Sequence, residues 1–184
     1  MSLNRPRRLL TATLLGITLV LSGCGFQLRG TGGGALENVE LRELRLSAID
    51  NLGQTHQEVR DMLRSSGVRL SASAPYHLQL LGEQNERSAV SYTTRASPAE
   101  FQLTSRLSYQ ILDRQGRALV GPETLEAQRA LVRDRDNVVA GSEEEELLRQ
   151  EMRRDLSRQL LLRLSSLSSR ELQARERELD RAAP

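Results

Sequence analysis

The residues with the clearest chemical capacity in this sequence are its arginines. All 26 basic residues are Arg and none is Lys, so every cation is a planar donor that can hold phosphate or carboxylate through paired hydrogen bonds. Six of them interleave with polar positions of predicted strands: Arg87, Arg95, Arg106, Arg129, Arg133 and Arg135. Adjacent strands could gather them into a phosphate-binding patch, or they could form cross-strand ion pairs on a solvated sheet face. The sequence leaves both interpretations open.

Cys24 is the second reactive group and the only cysteine, so it has no partner for an intramolecular disulfide. Three arginines (Arg5, Arg7 and Arg8) and a mostly apolar stretch over 9–21 precede it. Because a spanning helix needs about 20 apolar residues, this stretch is too short to remain in a bilayer and predicts a signal peptide.

The end of that segment, Leu21-Ser22-Gly23-Cys24, resembles the lipobox of bacterial lipoproteins. The resemblance implies a diacylglycerol thioether on Cys24, cleavage after Gly23 and acylation of the new amino terminus, which together anchor the chain stably. Residue 25 is Gly rather than the Asp that marks inner-membrane retention, which implies transfer to the outer membrane. The alternative is an ordinary secretory signal with a chance cysteine.

Other classes of function find little support in the sequence. It contains no Gly-x-Ser-x-Gly, HExxH, P-loop or GxGxxG motif, so we expect no enzyme and no cofactor. His56 and His77 lie in different segments, and we expect no metal site. Without residues 1–23, 23 arginines face 24 acids, a net charge of −1, so general binding to nucleic acid is not expected.

The mature chain alternates between strand and helix patterns. Apolar residues alternate over Val39–Ser47 and, most clearly, over Phe101–Ile111. Extended structure is also predicted over Val68–Thr94, interrupted by a turn at 85–87. The sequence Asp113-Arg114-Gln115-Gly116 predicts a hairpin, and Ala118–Val132 a return strand bent near Gly121-Pro122.

Two amphipathic helices are predicted, one over Thr55–Ser66 and one over Ser142–Ser168. Thr55 with Glu58 and Ser142 with Glu145 each fit a capping box. The second helix carries an apolar stripe at 4-4-4-4-3 spacing: Leu148, Met152, Leu156, Leu160, Leu164 and Leu167.

These elements predict an α+β fold, a two-layer sandwich in which two helices cover a four-stranded mixed or antiparallel sheet. The predicted organisation is a cleaved signal peptide (1–23), a lipidated glycine-rich linker (24–38), the α+β domain (39–168) and a charged, disordered tail (169–184).

Three segments carry a resemblance to a known family. They are Cys24-Gly25-Phe26-Gln27-Leu28-Arg29, Ala99-Glu100-Phe101-Gln102-Leu103, and Asp136-Asn137 ahead of an acidic helix start. Together with the order of elements over 24–168, they resemble the LptE family of lipopolysaccharide-assembly lipoproteins. The resemblance implies a plug inside LptD, the outer-membrane β-barrel that translocates lipopolysaccharide. It also implies binding of lipopolysaccharide on the periplasmic side of the outer membrane.

The same resemblance suggests where lipopolysaccharide binds. The family has a basic residue in the turn before the Ala-Glu-aromatic strand, and Arg95 occupies that place. A second basic position precedes the terminal helix, but here it falls at Gly141-Ser142, which carry no charge. Arg133 or Arg135 would have to substitute. Two alternatives remain: an adaptor of another envelope machine without lipopolysaccharide binding, and a tethered periplasmic hydrolase.

Overall fold

The computed structural model describes residues 41–92, 98–132 and 138–182. Five strands and three helices succeed one another along these residues. In chain order they are β1 (Glu43–Ala48), α1 (Gln54–Ser65), β2 (Arg69–Leu70), β3 (His77–Tyr92), β4 (Pro98–Leu112), β5 (Ala118–Val132), α2 (Val138–Ser166) and α3 (Ser169–Ala182).

The strands form one open mixed sheet in the order β2-β1-β3-β4-β5. β1 runs parallel to both β2 and β3, whereas β3, β4 and β5 form an antiparallel meander. The predicted α+β class with a mixed sheet is confirmed, but the sheet has five strands rather than four and the helices number three rather than two among the described residues. β2 lies within the segment predicted to be extended from Val68, but its separation from β3 was not predicted, because two residues are too few for alternation to mark a strand of their own.

The core lies between one face of the sheet and the helices. Alternate β4 residues such as Leu103, Leu107 and Ile111 are no more than 1% exposed, as the period of two requires. The predicted stripe on α2 packs against this face. Its members Met152, Leu156, Leu160 and Leu164 are at most 1% exposed, and Leu148 and Leu167 pack at its ends. Burial of each leucine side chain stabilises the folded state by about 1.5–3 kcal/mol.

Both predicted capping boxes are wrong. α1 begins after Gly53, which has no side chain to cap the helix, and the Thr55 hydroxyl donates instead to Glu83 on β3. α2 begins at Val138, so Glu145 lies inside the helix and pairs with arginines. A local sequence motif predicts a helix end only when no tertiary partner competes for the same side chain.

β3 is continuous through the predicted turn at 85–87, which is a further correction. Asn85 bonds to Glu83 on its own strand and accepts a hydrogen bond from Ser105 on β4. Pairing with β4 continues to Tyr92, and its irregularities lie on either side of the predicted turn, between Leu80 and Gly82 and between Ala89 and Tyr92. The polar run therefore stays extended because both its backbone and its side chains have partners on the neighbouring strand.

The hairpin predicted at 113–116 is present. Gly116 has a φ of +81°, and its amide donates to the Asp113 carbonyl. The predicted bend near Gly121-Pro122 appears as a register shift, because three residues of β4 (109–111) lie opposite four of β5 (120–123).

The predicted disordered tail is instead helical over its described part. α3 occupies 169–182, and Leu172 is fully buried. The Ser168 hydroxyl accepts a hydrogen bond from the Glu171 amide at 3.1 Å, and Arg175 donates to the Leu119 carbonyl at 2.9 Å. High charge suggested disorder, but a single buried leucine and contacts with the hairpin end of the sheet order the segment.

Candidate functional site on the uncovered sheet face

The face of the sheet opposite the helices is polar. The even-numbered residues of β4 point to it, and the register sets them beside polar residues of β3 and β5. Side-chain hydrogen bonds cross the strands in a ladder. Its pairs are Gln110 with Gln79, Ser108 with Thr124, and Gln102 with Gln128. Most of these groups are uncharged, so the face offers donors and acceptors without a strong net field.

Arg106 lies in the middle of this face, with 37% of its side chain exposed. It donates to Glu126 on β5 at 2.6 Å and to Glu86 on β3 at 3.1 Å. The hydrogen bond from Arg106 holds the pKa of Glu126 below its usual range, with a smaller contribution from Gln128. Arg106 thus forms cross-strand ion pairs with both acids, and its guanidinium is not available to bind phosphate.

Of the six arginines singled out in the sequence, the other two that the structure describes point toward the helices and are also paired. Arg87 places its guanidinium 3.9 Å from the centre of the Phe101 ring and donates to Glu145 at 2.9 Å. Arg129 lies 3.6 Å from Asp155 and more distantly from a second acid. For these two residues and Arg106, the structure supports ion pairing rather than a shared cationic patch.

The remaining predicted site residues lie outside the described residues: Cys24, Arg95, Arg133 and Arg135. Their flanking strands are described. Tyr92 pairs with Pro98, and Glu100 with Val132. The described strand residues next to the segments 93–97 and 133–137 therefore lie at the same end of the sheet.

That end of the sheet is apolar at its rim. Val90 and Val132 are 51% and 64% exposed. A shallow depression of about 280 Å³ is lined by Val90 and, in part, by Phe101, Gln102 and Arg129. Exposed valines beside hydrogen-bonding groups suit a ligand with both apolar and polar parts.

One serine and one histidine do meet in space. The Ser47 hydroxyl lies 2.7 Å from Nε2 of His77 on the uncovered face. Burial and the positive charge of Arg45 both lower the pKa of His77. A serine hydrolase needs an acid to orient and stabilise the imidazolium, whereas the charge acting here is a cation. The pair is therefore a polar contact between neighbouring strands.

Within the described ranges, no group of three or more His, Cys, Asp or Glu residues is placed to hold a metal ion. None of the helices in the same ranges is both long and apolar enough to span a membrane.

The chain is similar in sequence to lipopolysaccharide-assembly proteins. A family model described as "LptE: Lipopolysaccharide-assembly" matches residues 41–164. The LPS-assembly lipoprotein LptE of Photorhabdus laumondii is 32% identical over 181 residues, which cover 96% of each chain. That of Pectobacterium atrosepticum is 30% identical over 88% of this chain and 87% of its own.

Solved structures of other lipoproteins are also similar to this chain. The rare lipoprotein B from Shewanella oneidensis aligns with a TM-score of 0.62 and 28% identity, over 67% of this chain and 94% of its own. An uncharacterized lipoprotein B from Nitrosomonas europaea shares the fold, with a TM-score of 0.64 at 20% identity, over 82% and 96% of the two chains. The family model spans most of the described domain, including all five strands. The chain belongs to the LptE family of lipopolysaccharide-assembly proteins.

Proposed function

We propose that this protein is a non-enzymatic subunit of the outer-membrane machine that assembles lipopolysaccharide. It is anchored by lipids on Cys24 at the periplasmic side of the outer membrane. Its folded domain occupies the lumen of an LptD-like β-barrel, and it binds lipopolysaccharide and helps deliver it to the outer leaflet. Membership of the LptE family supports the role in lipopolysaccharide assembly; the partner, the plug and the binding site are parts of the proposal.

The uncovered polar face of the sheet is the observation that best supports the proposed role as a barrel plug. Lumens of outer-membrane barrels are polar, so a domain seated in one must offer hydrogen-bonding groups without a large desolvation cost. Neutral amides and hydroxyls, with Arg106 already neutralised by Glu86 and Glu126, meet that requirement. A catalytic domain would instead expose a pocket with activated groups.

The chemistry of lipopolysaccharide suits the end of the sheet described above. It combines phosphate groups with acyl chains, so its binding site needs cations beside apolar surface. Val90 and Val132 supply apolar surface, and the segments 93–97 and 133–137 bring Arg95, Arg133 and Arg135. Arginine binds phosphate through paired, charge-assisted hydrogen bonds.

A bulky substitution on the uncovered face tests the plug. We expect Gln128→Trp to lower recovery of the barrel with the tagged, membrane-extracted protein by about tenfold, because overpacking a close interface costs about 1–3 kcal/mol. Gln128 is exposed, so the fold should persist. The measurement is the amount of barrel protein, identified by mass spectrometry, that remains bound in detergent.

Gln150→Trp is the matched control, since Gln150 is exposed on α2 and away from the uncovered face. Equal recovery with both variants would exclude the sheet face from the interface. Stable capture of a different envelope complex, with no barrel present, would favour the adaptor alternative.

Arg95 tests the lipopolysaccharide site. We expect Arg95→Ala to weaken binding of purified lipopolysaccharide about tenfold and Arg95→Glu to weaken it further, because a hydrogen bond to a charged group contributes about 1.5–3 kcal/mol. The thermal unfolding midpoint is the control for folding and should stay within about 1 °C of wild type. Wild-type affinity in both variants, measured by pull-down with lipopolysaccharide, would remove Arg95 from the site.

A further inference from the structure

The strand β3 has one long side without a neighbouring strand in the described part of the chain. β1 pairs with β3 over His77–Leu80, and β3 then continues to Tyr92. Beyond Leu80, β4 lies on one side of β3 and no described strand lies on the other. Residues 84–88 are all exposed. We call the backbone along the free side of β3, from Glu83 to Ala89, the open edge.

The open edge presents unpaired backbone groups. In a strand of L-amino acids, the face to which a side chain points fixes the side to which its amide and carbonyl point. Helix-facing residues of β3 direct theirs toward β1, since the buried Leu80 accepts a hydrogen bond from the Ile49 amide at 3.3 Å. Beyond Gly82, the helix-facing residues are those that pair with buried residues of β4. They are Glu83, Asn85, Arg87 and Ala89, and no described residue bonds to their outward amides or carbonyls.

The opposite edge of the sheet, formed by β5, is closed by side chains. Three of its carbonyls accept hydrogen bonds from side chains instead of from a strand. The pairs are Leu119 with Arg175 at 2.9 Å, Glu126 with Gln159 at 3.1 Å, and Gln128 with Arg129 at 2.7 Å. Covering an edge in this way hinders pairing with another chain. Among the described residues, the protein therefore protects one long edge of its sheet and leaves the other accessible.

Charged side chains do not cover the open edge. Charges often guard natural sheet edges, but here each charge along the edge is held by a partner on one face of the sheet. The contacts are Glu83 with Thr55 and Asn85, Arg87 with the Phe101 ring and Glu145, and Glu86 with Arg106. The backbone between the two faces stays free to form hydrogen bonds.

A pocket opens where β1 ends and the open edge begins. It has a volume of about 310 Å³ and lies between the loop after β1, the start of α1 and the sheet. Leu80 and Leu107 contribute apolar lining, and Ile49, which is 78% exposed, also lines it. Leu52 in the same loop is 86% exposed. A strand that continued the line of β1 would direct alternate side chains toward the helices, so one of them would enter this pocket.

The two faces beside the open edge determine which side chains such a strand can carry. On the helix side, the pocket and the exposed Ile49 favour an apolar residue. On the uncovered face, Glu86 is 62% exposed and shares Arg106 with Glu126, so two carboxylates face one guanidinium. A basic residue beside Glu86 would balance the excess negative charge. The open edge therefore fits a segment in which apolar residues alternate with neutral or basic ones.

We infer that the open edge binds an extended segment of the barrel partner, which adds to the sheet as a further strand beside β3. The inference rests on the proposed function, because the open edge borders the uncovered face against which the barrel is proposed to lie. Backbone hydrogen bonds along Glu83–Ala89 supply the affinity, and the pocket selects the segment through one apolar side chain. The length of the edge suits a strand of about 5–6 residues.

Hydrogen exchange of backbone amides tests the inference on the unmodified full chain. The tagged protein is measured alone in detergent and in its detergent-extracted complex with the barrel. The outward amides of residues 83, 85, 87 and 89 should exchange freely in the protein alone and at least a hundredfold more slowly in the complex. The amides of residues 84, 86 and 88 point to β4 and should be slow in both samples.

A proline substitution tests the same edge by removing one donor. Ala89→Pro deletes an outward amide and keeps the bonds to β4, a change that edge strands accept. We expect it to lower the amount of barrel retained at least tenfold. The control is Ala72→Pro, in the exposed turn after β2 where Ala74 donates to the Ser71 carbonyl and proline is favoured. It should retain the barrel within twofold of wild type, and circular dichroism measures the folding of both variants.

The possible failures separate the inference from the proposed function. A wild-type protein that retains no barrel would overturn both. Normal retention of the barrel with unprotected amides at the open edge would overturn the inference alone, and so would equal retention by the two proline variants in folded form. Protection that appears without the barrel as the protein concentration rises would assign the edge to a second copy of this chain and overturn the inference.

Discussion

Asp113→Ala is expected to destabilise the domain by about 3 kcal/mol. The Asp113 carboxylate is completely buried at the β4–β5 hairpin, where it accepts hydrogen bonds from the amide of Arg117 at 2.8 Å and from its guanidinium at 2.6 Å. Arg117 also reaches Asp180 on α3 at 2.8 Å. Removing one partner of a buried pair leaves the other unpaired, which costs about 3–5 kcal/mol; the partial exposure of Arg117 places the expected loss at the lower end.

The same contacts give the stability a defined pH dependence. Burial alone would raise the pKa of Asp113, but hydrogen bonds from the backbone and side chain of Arg117 outweigh it and hold the pKa below its ordinary value. The contribution of Asp113 to stability is therefore fully present above its unfolded-state pKa of about 3.9. It is lost as the pH falls through the lower pKa of the folded state. In Asp113→Asn, the free energy of unfolding measured with urea should depend less on pH over that acidic range.

Asp61→Ala is the control for this prediction, because its partner Arg60 lies at the surface and such pairs contribute about 0–1 kcal/mol. The two free energies of unfolding are compared by circular dichroism at pH 7. A loss for Asp113→Ala no larger than that of the control would show that the hairpin does not depend on the buried carboxylate.

Cys24→Ala is expected to abolish lipid anchoring altogether. Alanine has no sulfur to carry the thioether, so the precursor should keep its residues 1–23 and lack acyl chains. Intact mass spectrometry of the membrane fraction measures both changes. Ser22→Ala keeps a small residue before the cysteine and should leave cleavage and acylation unchanged.

Two outcomes would contradict the anchor. A wild-type protein with an intact residue 1 or an unmodified thiol would remove the lipoprotein assignment. A Cys24→Ala chain that is cleaved, lipid-free and fully active in lipopolysaccharide assembly would show that the barrel alone retains the domain.

The arginines show why residue type alone does not identify a binding site. The sequence drew attention to the strand arginines, and the structure pairs Arg87, Arg106 and Arg129 with carboxylates from neighbouring strands and α2.

The features that depend on short-range periodicity were predictable from the order of the amino acids. Alternation over Phe101–Ile111 and the stripe from Met152 to Leu164 predict which residues are buried, because side-chain direction repeats every 2 or 3.6 residues. They also predict the α+β class, and three short motifs resemble the family that the match over residues 41–164 confirms. Other features depend on how the elements pack in three dimensions. Whether Thr55 caps a helix, whether a charged segment over 169–182 orders, and which arginines stay unpaired all depend on groups distant in sequence, since a hydrogen bond or ion pair goes to the nearest partner in space.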